Sequence, residues 1–217
     1  MDNPKKLEYE IRIYDINETK IKKILKENGA VLIQKKTIMP LIVYHHPKGK
    51  KDSYIRIRNE GHEITMTIKT KLKSKYVVER EVVINSIEEG DAILKLLGCK
   101  VKYKIEKIRE VYQIKGCKEI VFDSYAGTPT YMEIDCHSEL YLKKIAKLLG
   151  YKLDDHDTRQ LRDIYFEQYG IPKNAKWGDS DITIENGTKI FGPLITKNKK
   201  QFMDILAKQM KLVKKLK

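Results

Sequence analysis

The sequence contains few cysteines and no long apolar run, and each absence excludes a class of protein. Its 3 cysteines, Cys99, Cys117 and Cys136, are far apart and form no CxxC pair. An odd number of widely spaced cysteines argues against a disulfide framework or a zinc site, so we expect three small apolar side chains in a reducing compartment. No apolar segment reaches the ~18 residues of a membrane helix, and the charged start MDNPKKLEYE lacks the apolar part of a secretory signal. These features predict a cytoplasmic protein without a membrane span.

The sequence contains fewer acidic than basic residues. The 217 residues contain 44 lysines and arginines against 30 aspartates and glutamates, which gives a formal net charge of +14. Residues 171–217 alone contain 11 lysines and 4 acidic residues. Such a surplus indicates an anionic substrate or partner. The basic tail makes RNA or polyphosphate candidate partners.

Four segments are predicted to be helices, and three of them end at a glycine. They cover 18–28, the segment between Ser86 and Gly98, the segment between Ser138 and Gly150, and about 157–169. Ser86 and Ser138 are favourable N-cap residues, and Glu89 completes a capping box with Ser86. On the fourth helix, Arg159 and Arg162 either reach the centre of the fold or face solvent.

Most other segments alternate apolar and polar residues with a period of two, which is the pattern of β-strands. The predicted strands are 7–14, 30–38, 40–46, 53–59, 62–72, 76–84, 99–115 (one bent strand or two), 118–124 and 130–137. Short turns join many of them, so neighbouring strands are antiparallel. Eight or nine such strands predict an α+β fold, in which an antiparallel β-barrel carries the helices on its outside.

The pattern of apolar and polar residues changes after Gly170. We therefore predict two parts: a barrel domain over 1–171 and a basic extension over 172–217. Within the extension, Asn186-Gly187 lies between two alternating segments and predicts a β-hairpin over about 181–191. An apolar stripe then predicts an amphipathic helix over about 199–216. Every predicted site residue lies at or before Asp135, so the extension is predicted to lie outside the site.

Charged residues on the polar faces of the strands are largely sorted by sign from one strand to the next. In chain order these faces carry Glu8, Glu10 and Arg12; Arg56 and Arg58; Lys69; Glu79 and Glu81; Lys107 and Arg109; Asp123; and Glu133 and Asp135. A solvated face explains the charges of any one strand, but it mixes signs at random. Because the helices need the apolar face of the sheet, the charged face is predicted to point into the barrel.

A site that contains both positive and negative side chains suits a triphosphate. An all-acidic site repels such a polyanion, and an all-basic site offers no ligands to a cation. Arginine contacts phosphate with two parallel hydrogen bonds, and lysine contacts it as a point charge. Carboxylates bind hard cations such as Mg²⁺ or Mn²⁺. The pattern therefore predicts a metal-assisted triphosphate site.

These motifs resemble the CYTH domain family, also called the triphosphate tunnel metalloenzymes. The family signature ExExK corresponds to EYEIR at the first strand. The likeness continues through the segments SYIRIRNEG, ITMTIKTK, VVEREVV, KIEKIREVY and IVFDSYAGTPTYMEID, and then through SELYLKKIAKLLGY and LRDIYFEQYGI. It covers about residues 5–171 and is greatest with small microbial members described as class IV adenylyl cyclase-like.

The resemblance implies a role for each charged position. Metal ligands are expected at Glu8, Glu10, Asp123, Glu133 and Asp135. Phosphate contacts are expected at Arg12, Arg56, Arg58, Lys69, Lys107 and Arg109. Catalytic roles are expected at Arg12, Glu79 and Glu81. Two positions depart from the family pattern, because Arg12 replaces the lysine of the signature and Asp135 replaces a commoner glutamate.

Three functions remain open at this point. The first is a metal-dependent triphosphatase that acts on inorganic tripolyphosphate, a nucleoside or thiamine triphosphate, or an RNA 5′-triphosphate. The second is a class IV adenylyl cyclase, which needs an adenine pocket that no sequence feature demands. The third is a non-catalytic module that binds polyphosphate or RNA, and buried carboxylates argue against it.

Overall fold

The computed structural model describes residues 9–48, 53–71, 77–175 and 181–216, with backbone alone at positions 71, 77 and 78. The strands are β1 (Tyr9–Ile13), β2 (Val31–His45), β3 (Tyr54–Asn59), β4 (Ile64–Lys71), β5 (Val77–Ile84), β6 (Val101–Gln113), β7 (Cys117–Tyr125), β8 (Tyr131–Cys136) and β9 (Asp181–Ile182). The helices are α1 (Glu18–Glu27), α2 (Ile87–Leu96), α3 (Glu139–Leu149), α4 (Leu161–Tyr169), α5 (Gly187–Phe191) and α6 (Lys199–Leu216), with one short 3₁₀ turn at Leu153–Asp155.

Eight strands form one antiparallel sheet in the order β1-β8-β7-β6-β2-β3-β4-β5. The ninth, β9, pairs in parallel with β6 at Lys104 and Ile105. In the described part of the chain, hydrogen bonds do not join the two ends of this path, β1 and β5. The predicted α+β fold, with its antiparallel sheet of eight or nine strands, is confirmed.

The sheet is strongly curved. β1 and β3 are five strand spacings apart along the sheet, which would separate them by about 24 Å if it were flat. Arg12 of β1 and Arg56 of β3 nevertheless line the same cavity. The sheet therefore curls into a barrel-like tunnel with one concave face.

α1, α2 and α3 pack on the outer, apolar face of this sheet, whereas α4, α5 and α6 pack around β6 and also contact residues of its concave face, such as Ile105. α1 and α3 cover β1, β7 and β8 in one hydrophobic cluster, and α2 covers β2 and β3 in another. A third cluster joins α4, α5 and α6 to β6 and to the turn after β7. None of the helices in the described residues has the length and apolarity needed to cross a bilayer.

The helix termini follow the predicted capping. Ser86 and Ser138 accept hydrogen bonds from the backbone N–H of Glu89 and Tyr141. Gly150 ends α3 with a φ of 90°, a left-handed conformation that glycine adopts without a steric penalty. α4 begins at Leu161, later than predicted, because Asp157 donates its backbone N–H to the carbonyl of Arg12 and so continues the edge of β1.

Two predicted strands, 30–38 and 40–46, are one. β2 passes through Pro40, which lies opposite Glu106 of β6, and register shifts interrupt the pairing of the two strands. The register is regular at Pro40 itself, and pairing with β3 begins only at Leu41. Proline lacks an N–H donor, and it is tolerated where a strand has no neighbour on one side.

The predicted hairpin around Asn186-Gly187 is wrong. Only Asp181 and Ile182 form a strand there, and Gly187 begins the helix α5. The helical turn buries both Ile184 and Phe191 in the cluster shared with the barrel. Tertiary packing thus overrides the local hairpin signal. The predicted amphipathic helix over 199–216 is confirmed as α6.

The expectation of three unpaired cysteines is also wrong. Cys117 and Cys136 lie opposite each other on β7 and β8, and a disulfide joins them. Cys99 is free and buried. The two cysteines are 19 residues apart in sequence, and this separation does not show that their strands will pair. The pairing of β7 with β8 is what brings them together.

Candidate functional site

Strand register places the described residues of the predicted site on the concave face of the sheet. Arg12 lies opposite Glu133, and Glu10 lies opposite Asp135. Further along the sheet, the pairs are Arg109 with Asp123, Arg56 with Thr67, Thr67 with Glu81, and Lys69 with Glu79. The outer helices pack on the alternate, apolar residues of these strands. Glu8 lies outside the described residues.

Asp123 anchors two cations in the most buried part of this face. Its exposed fraction is 0%, against 7% for Lys107 and 6% for Arg109. The Arg109 guanidinium donates to both carboxylate oxygens, Nε to Oδ1 at 2.8 Å and Nη2 to Oδ2 at 2.6 Å. Lys107 Nζ donates to Oδ2 at 2.7 Å. Both oxygens of Asp123 are therefore engaged with cations of the neighbouring strand.

Burial and the neighbouring charges have opposite effects on the pKa values of Asp123, Lys107 and Arg109. Burial alone would raise the pKa of Asp123, but Lys107 and Arg109 lower it to about 2. Burial lowers the pKa of Lys107, although Asp123 opposes that change. Burial would likewise lower the pKa of Arg109, but Asp123 raises it. The two-pronged contact thus keeps Asp123 and Arg109 as an ion pair inside the fold.

This ion pair makes stability sensitive to acid. An unfolded aspartate titrates near ~3.9, whereas the folded pKa of Asp123 is about 2. A lowered folded pKa contributes stability above about pH 4 that is lost as the pH falls through about 2. We expect the urea midpoint of the wild-type protein to fall more steeply over this interval than that of Asp123→Asn. Equal pH slopes would show that the carboxylate contributes no such linkage.

The carboxylates of β8 are also paired with cations. Glu133 accepts from Arg12 Nε at 2.6 Å and lies 3.7 Å from Arg109 Nη2, so it connects the cation of β1 to the buried group. Asp135 accepts from Lys118 Nζ at 2.7 Å. Within the protein, these contacts balance the charges of Glu133 and Asp135.

A second group of charges lies on β3, β4 and β5. Glu79 contacts Arg56 at 3.3 Å and Lys69 at 3.2 Å. The Thr67 hydroxyl donates to Glu81 at 2.6 Å. Arg58 pairs with Glu60, and burial lowers the pKa of Arg58, with Arg56 adding to that effect. Within the described residues, the Nε atom of Arg56 is buried and has no hydrogen-bond partner.

The carboxylates can be tested for their fit to a divalent cation. In 9–48, 53–71, 77–175 and 181–216, no group of three or more His, Cys, Asp or Glu side chains could hold a metal ion. Mg²⁺ commonly takes one or two carboxylates and completes its shell with substrate phosphates and waters. The pair of Glu10 and Asp135 on adjacent strands fits that requirement.

A cavity of about 470 Å³ opens at one end of the concave face. Arg12 and Arg56 line it on the side of the charged groups. Apolar and aromatic side chains line the remainder, together with residues of α4 and β9. A larger groove of about 750 Å³ lies along α3, on the outer side of the sheet, and contains none of the predicted site residues.

The extension contributes to this cavity, contrary to the sequence expectation. β9 pairs with β6 beside the point where β7 leaves it, and this places Ile182 in the cavity wall. Arg162 of α4 also lines the cavity. Arg159 lies before the start of α4 and pairs with Asp157 and Glu167.

Several residues of the site carry no sequence signal. A register shift between Cys117 and Glu119 brings Lys118 to Asp135; a bulge of this kind is invisible in the alternation pattern. Glu119 lies 3.7 Å from Arg109. Alternation places Tyr125 and Tyr131 on the concave face, but tyrosine is equally common in cores, so this position alone does not indicate a function.

Comparison with known proteins supports this fold. The model of the CYTH domain matches residues 6–147, and no curated protein matches the chain. The structure is similar to the PH1819 protein of Pyrococcus horikoshii, with 28% identity over 74% of this chain and 99% of that one, at a TM-score of 0.54. It is similar to the PH1012 protein of the same organism, with 18% identity over 71% and 96% of the two chains, at a TM-score of 0.58.

A candidate adenylate cyclase from Vibrio parahaemolyticus is also similar, with 14% identity over 73% of this chain and 97% of that one, at a TM-score of 0.61. These likenesses establish a shared fold. The family match ends at residue 147, so α4 and the extension lie beyond it. Since the match spans more than half of the sequence, the chain belongs to the CYTH domain family.

Proposed function

We propose that the protein is a metal-dependent triphosphatase that releases the terminal phosphate of its substrate. The observation that carries the proposal is Arg56, which lines the cavity and whose buried Nε has no partner within the described residues. A buried guanidinium N–H without a partner is costly, and a phosphate oxygen would satisfy it. The CYTH family includes triphosphatases and adenylyl cyclase-like proteins, which agrees with this assignment.

Cations on three sides of the concave face would hold the phosphate chain. Arg12 comes from β1, Arg56, Arg58 and Lys69 come from β3 and β4, and Lys107 and Arg109 come from β6. In the reaction, a water oxygen bonds to the terminal phosphorus as the bridging P–O bond breaks. Fixed cations stabilise the charge that builds on the phosphoryl oxygens.

The carboxylates would have three roles. Glu10 and Asp135, with Glu8, would hold Mg²⁺ or Mn²⁺, which would neutralise phosphate charge, and Glu133 would position Arg12, with which it pairs. Glu79 and Glu81 are the candidates for positioning the attacking water, since Glu79 contacts the cations Arg56 and Lys69 and Glu81 lies beside it on β5, where it accepts from Thr67. Asp123 would position Lys107 and Arg109, because both of its oxygens already contact them.

A cyclase is the second candidate, and the aromatic lining of the cavity is the observation that favours it. In that reaction the 3′-hydroxyl attacks the α-phosphorus and pyrophosphate leaves. A non-catalytic module for RNA or polyphosphate is the third candidate, supported by the exposed lysines of α6. It would bind its polyanion equally well in EDTA, whereas an enzyme of this kind needs the cation.

The proposal is tested with Arg56→Ala and a panel of substrates. Tripolyphosphate, thiamine triphosphate, ATP and 5′-triphosphate RNA are each incubated with Mg²⁺, Mn²⁺ or EDTA, and phosphate, pyrophosphate and cyclic AMP are measured. We expect metal-dependent release of phosphate and a kcat/KM for Arg56→Ala that is lower by at least about tenfold, or ~1.4 kcal/mol. Lys143→Ala, on the outer helix α3, is the control and should retain wild-type kinetics. Pyrophosphate with cyclic AMP would identify a cyclase, and no turnover of any substrate would exclude both enzymes.

A further inference from the structure

The cavity wall combines cationic and apolar side chains. Arg12 and Arg56 line it beside the charged groups of the concave face. At its apolar end, where β9 meets β6, Ile105 and Ile182 lie opposite each other in the parallel pair, and Leu161 of α4 adds a third apolar group. A ligand that fills this volume therefore meets both cations and apolar side chains.

Tyrosines supply most of the aromatic surface. Tyr125 and Tyr131 have nearly parallel rings with centroids 6.3 Å apart, and Tyr14 lies 4.9 Å from Tyr131. Tyr54 and Tyr103 also line the cavity. Burial raises the pKa of Tyr103, and nearby Tyr54 adds to that effect. Tyr131 is buried, and the half-buried tyrosines around it offer ring faces on which a planar ring can stack.

The charge of the lining selects among planar rings. Among the described residues, the cavity wall contains Arg12, Arg56, Lys102 and Arg162 but no carboxylate. A cationic ring such as a thiazolium would meet four positive charges there, whereas a neutral ring would not. The volume of about 470 Å³ lies in the ~300–1,000 Å³ range of small-ligand sites.

We propose that this cavity is the ring-binding subsite of the enzyme and that its preferred substrates are nucleoside triphosphates rather than tripolyphosphate. The inference rests on the proposed triphosphatase function and adds its substrate class. The neutral nucleobase stacks among the tyrosines, with Leu161 and Ile182 closing the end of the subsite. Both residues lie beyond residue 147, where the family match ends, and Ile182 also lies beyond the likeness in sequence that runs to about residue 171, so the subsite depends in part on the extension.

The test compares kcat/KM for ATP, GTP, UTP, thiamine triphosphate and tripolyphosphate in the wild type, Tyr103→Leu and Leu161→Trp. The first variant removes a ring, and the second fills the apolar end. We expect the wild type to prefer nucleoside triphosphates over tripolyphosphate by about tenfold or more, from stacking alone. Both variants should bring that ratio close to one. Tyr151→Leu, on the outer side of the sheet, is the matched control and should keep the wild-type ratio.

Two results would overturn the subsite: a wild type whose kcat/KM for tripolyphosphate or thiamine triphosphate is at least as high as that for ATP, or an unchanged ratio of these kcat/KM values in both variants. If no triphosphate is hydrolysed, the triphosphatase function fails separately. Equilibrium binding of ATP and of tripolyphosphate to the same proteins then decides the subsite. The subsite is supported if the wild type binds ATP more tightly than tripolyphosphate and Leu161→Trp abolishes that difference. Equal binding of the two ligands by the wild type overturns it.

Discussion

Asp123→Ala is expected to lower the free energy of unfolding by about 3–5 kcal/mol, because it leaves two buried cations without their shared anion. Lys107 and Arg109 both contact Asp123 within 2.7 Å, and neither is exposed enough to exchange that contact for water. Repulsion between the two cations should displace them from the concave face. Turnover should therefore fall with stability.

The measurement is urea unfolding in EDTA, with Glu139→Ala as the control. Glu139 pairs with Lys143 on the exposed surface of α3, and loss of such a pair costs at most about 0.5 kcal/mol. The absence of metal separates two roles for Asp123. A metal ligand removed from the apo protein would leave stability unchanged or higher, since carboxylates gathered for a cation repel one another. Unchanged stability of Asp123→Ala would favour the metal role and contradict the anchoring role.

The inward direction of the charges could be predicted from the sequence because strand geometry decides it. Alternation with period two places Arg56 and Arg58 on one face and Ile55 and Ile57 on the other, whichever strands are neighbours. Amphipathic helices then need the apolar face. Both arguments are local, and the structure confirms the faces they predict.

The contacts within the site could not be predicted in the same way. Arg109 binds Asp123 because β6 and β7 adopt one register, and Lys118 reaches Asp135 because a bulge follows Cys117. Register depends on the packing of the whole sheet, and a shift of one residue would reverse every face. Periodicity alone therefore indicates which side chains share a face, without indicating which of them meet.

The extension shows the same limit at a larger scale. Asn186-Gly187 is a strong hairpin signal in isolation, but Ile182 pairs with β6 and Phe191 is buried against Tyr165, at a ring-centroid distance of 4.5 Å. These contacts come from residues distant in sequence. No local pattern predicts them, and they bring the extension into the wall of the cavity.

The last prediction concerns the turn that joins β7 to β8 and so connects Tyr125 to Tyr131. α6 holds this turn from outside: Gln209 accepts from the N–H of Gly127 at 2.8 Å and donates to the carbonyl of Tyr125 at 2.8 Å. Gly127 has a φ of 73°, and a methyl group there would overlap the ring of Phe202. Gly127→Ala should therefore combine left-handed strain of about 1–2 kcal/mol with overpacking of about 1–3 kcal/mol.

Gly150→Ala is the matched control, because Gly150 has a φ of 90° with nothing within 4 Å of an added methyl group. It should show the strain alone, so Gly127→Ala should cost more by at least about 1 kcal/mol. Phe202→Ala removes the opposing ring and should itself cost about 3–5 kcal/mol. In a double-mutant cycle by urea unfolding, the double variant should be more stable than the sum of the single costs predicts. Additive costs, or equal costs at the two glycines, would show that Phe202 does not press on the turn. A favourable coupling would establish that α6, which lies outside the family match, supports the tyrosines of the cavity through Gly127.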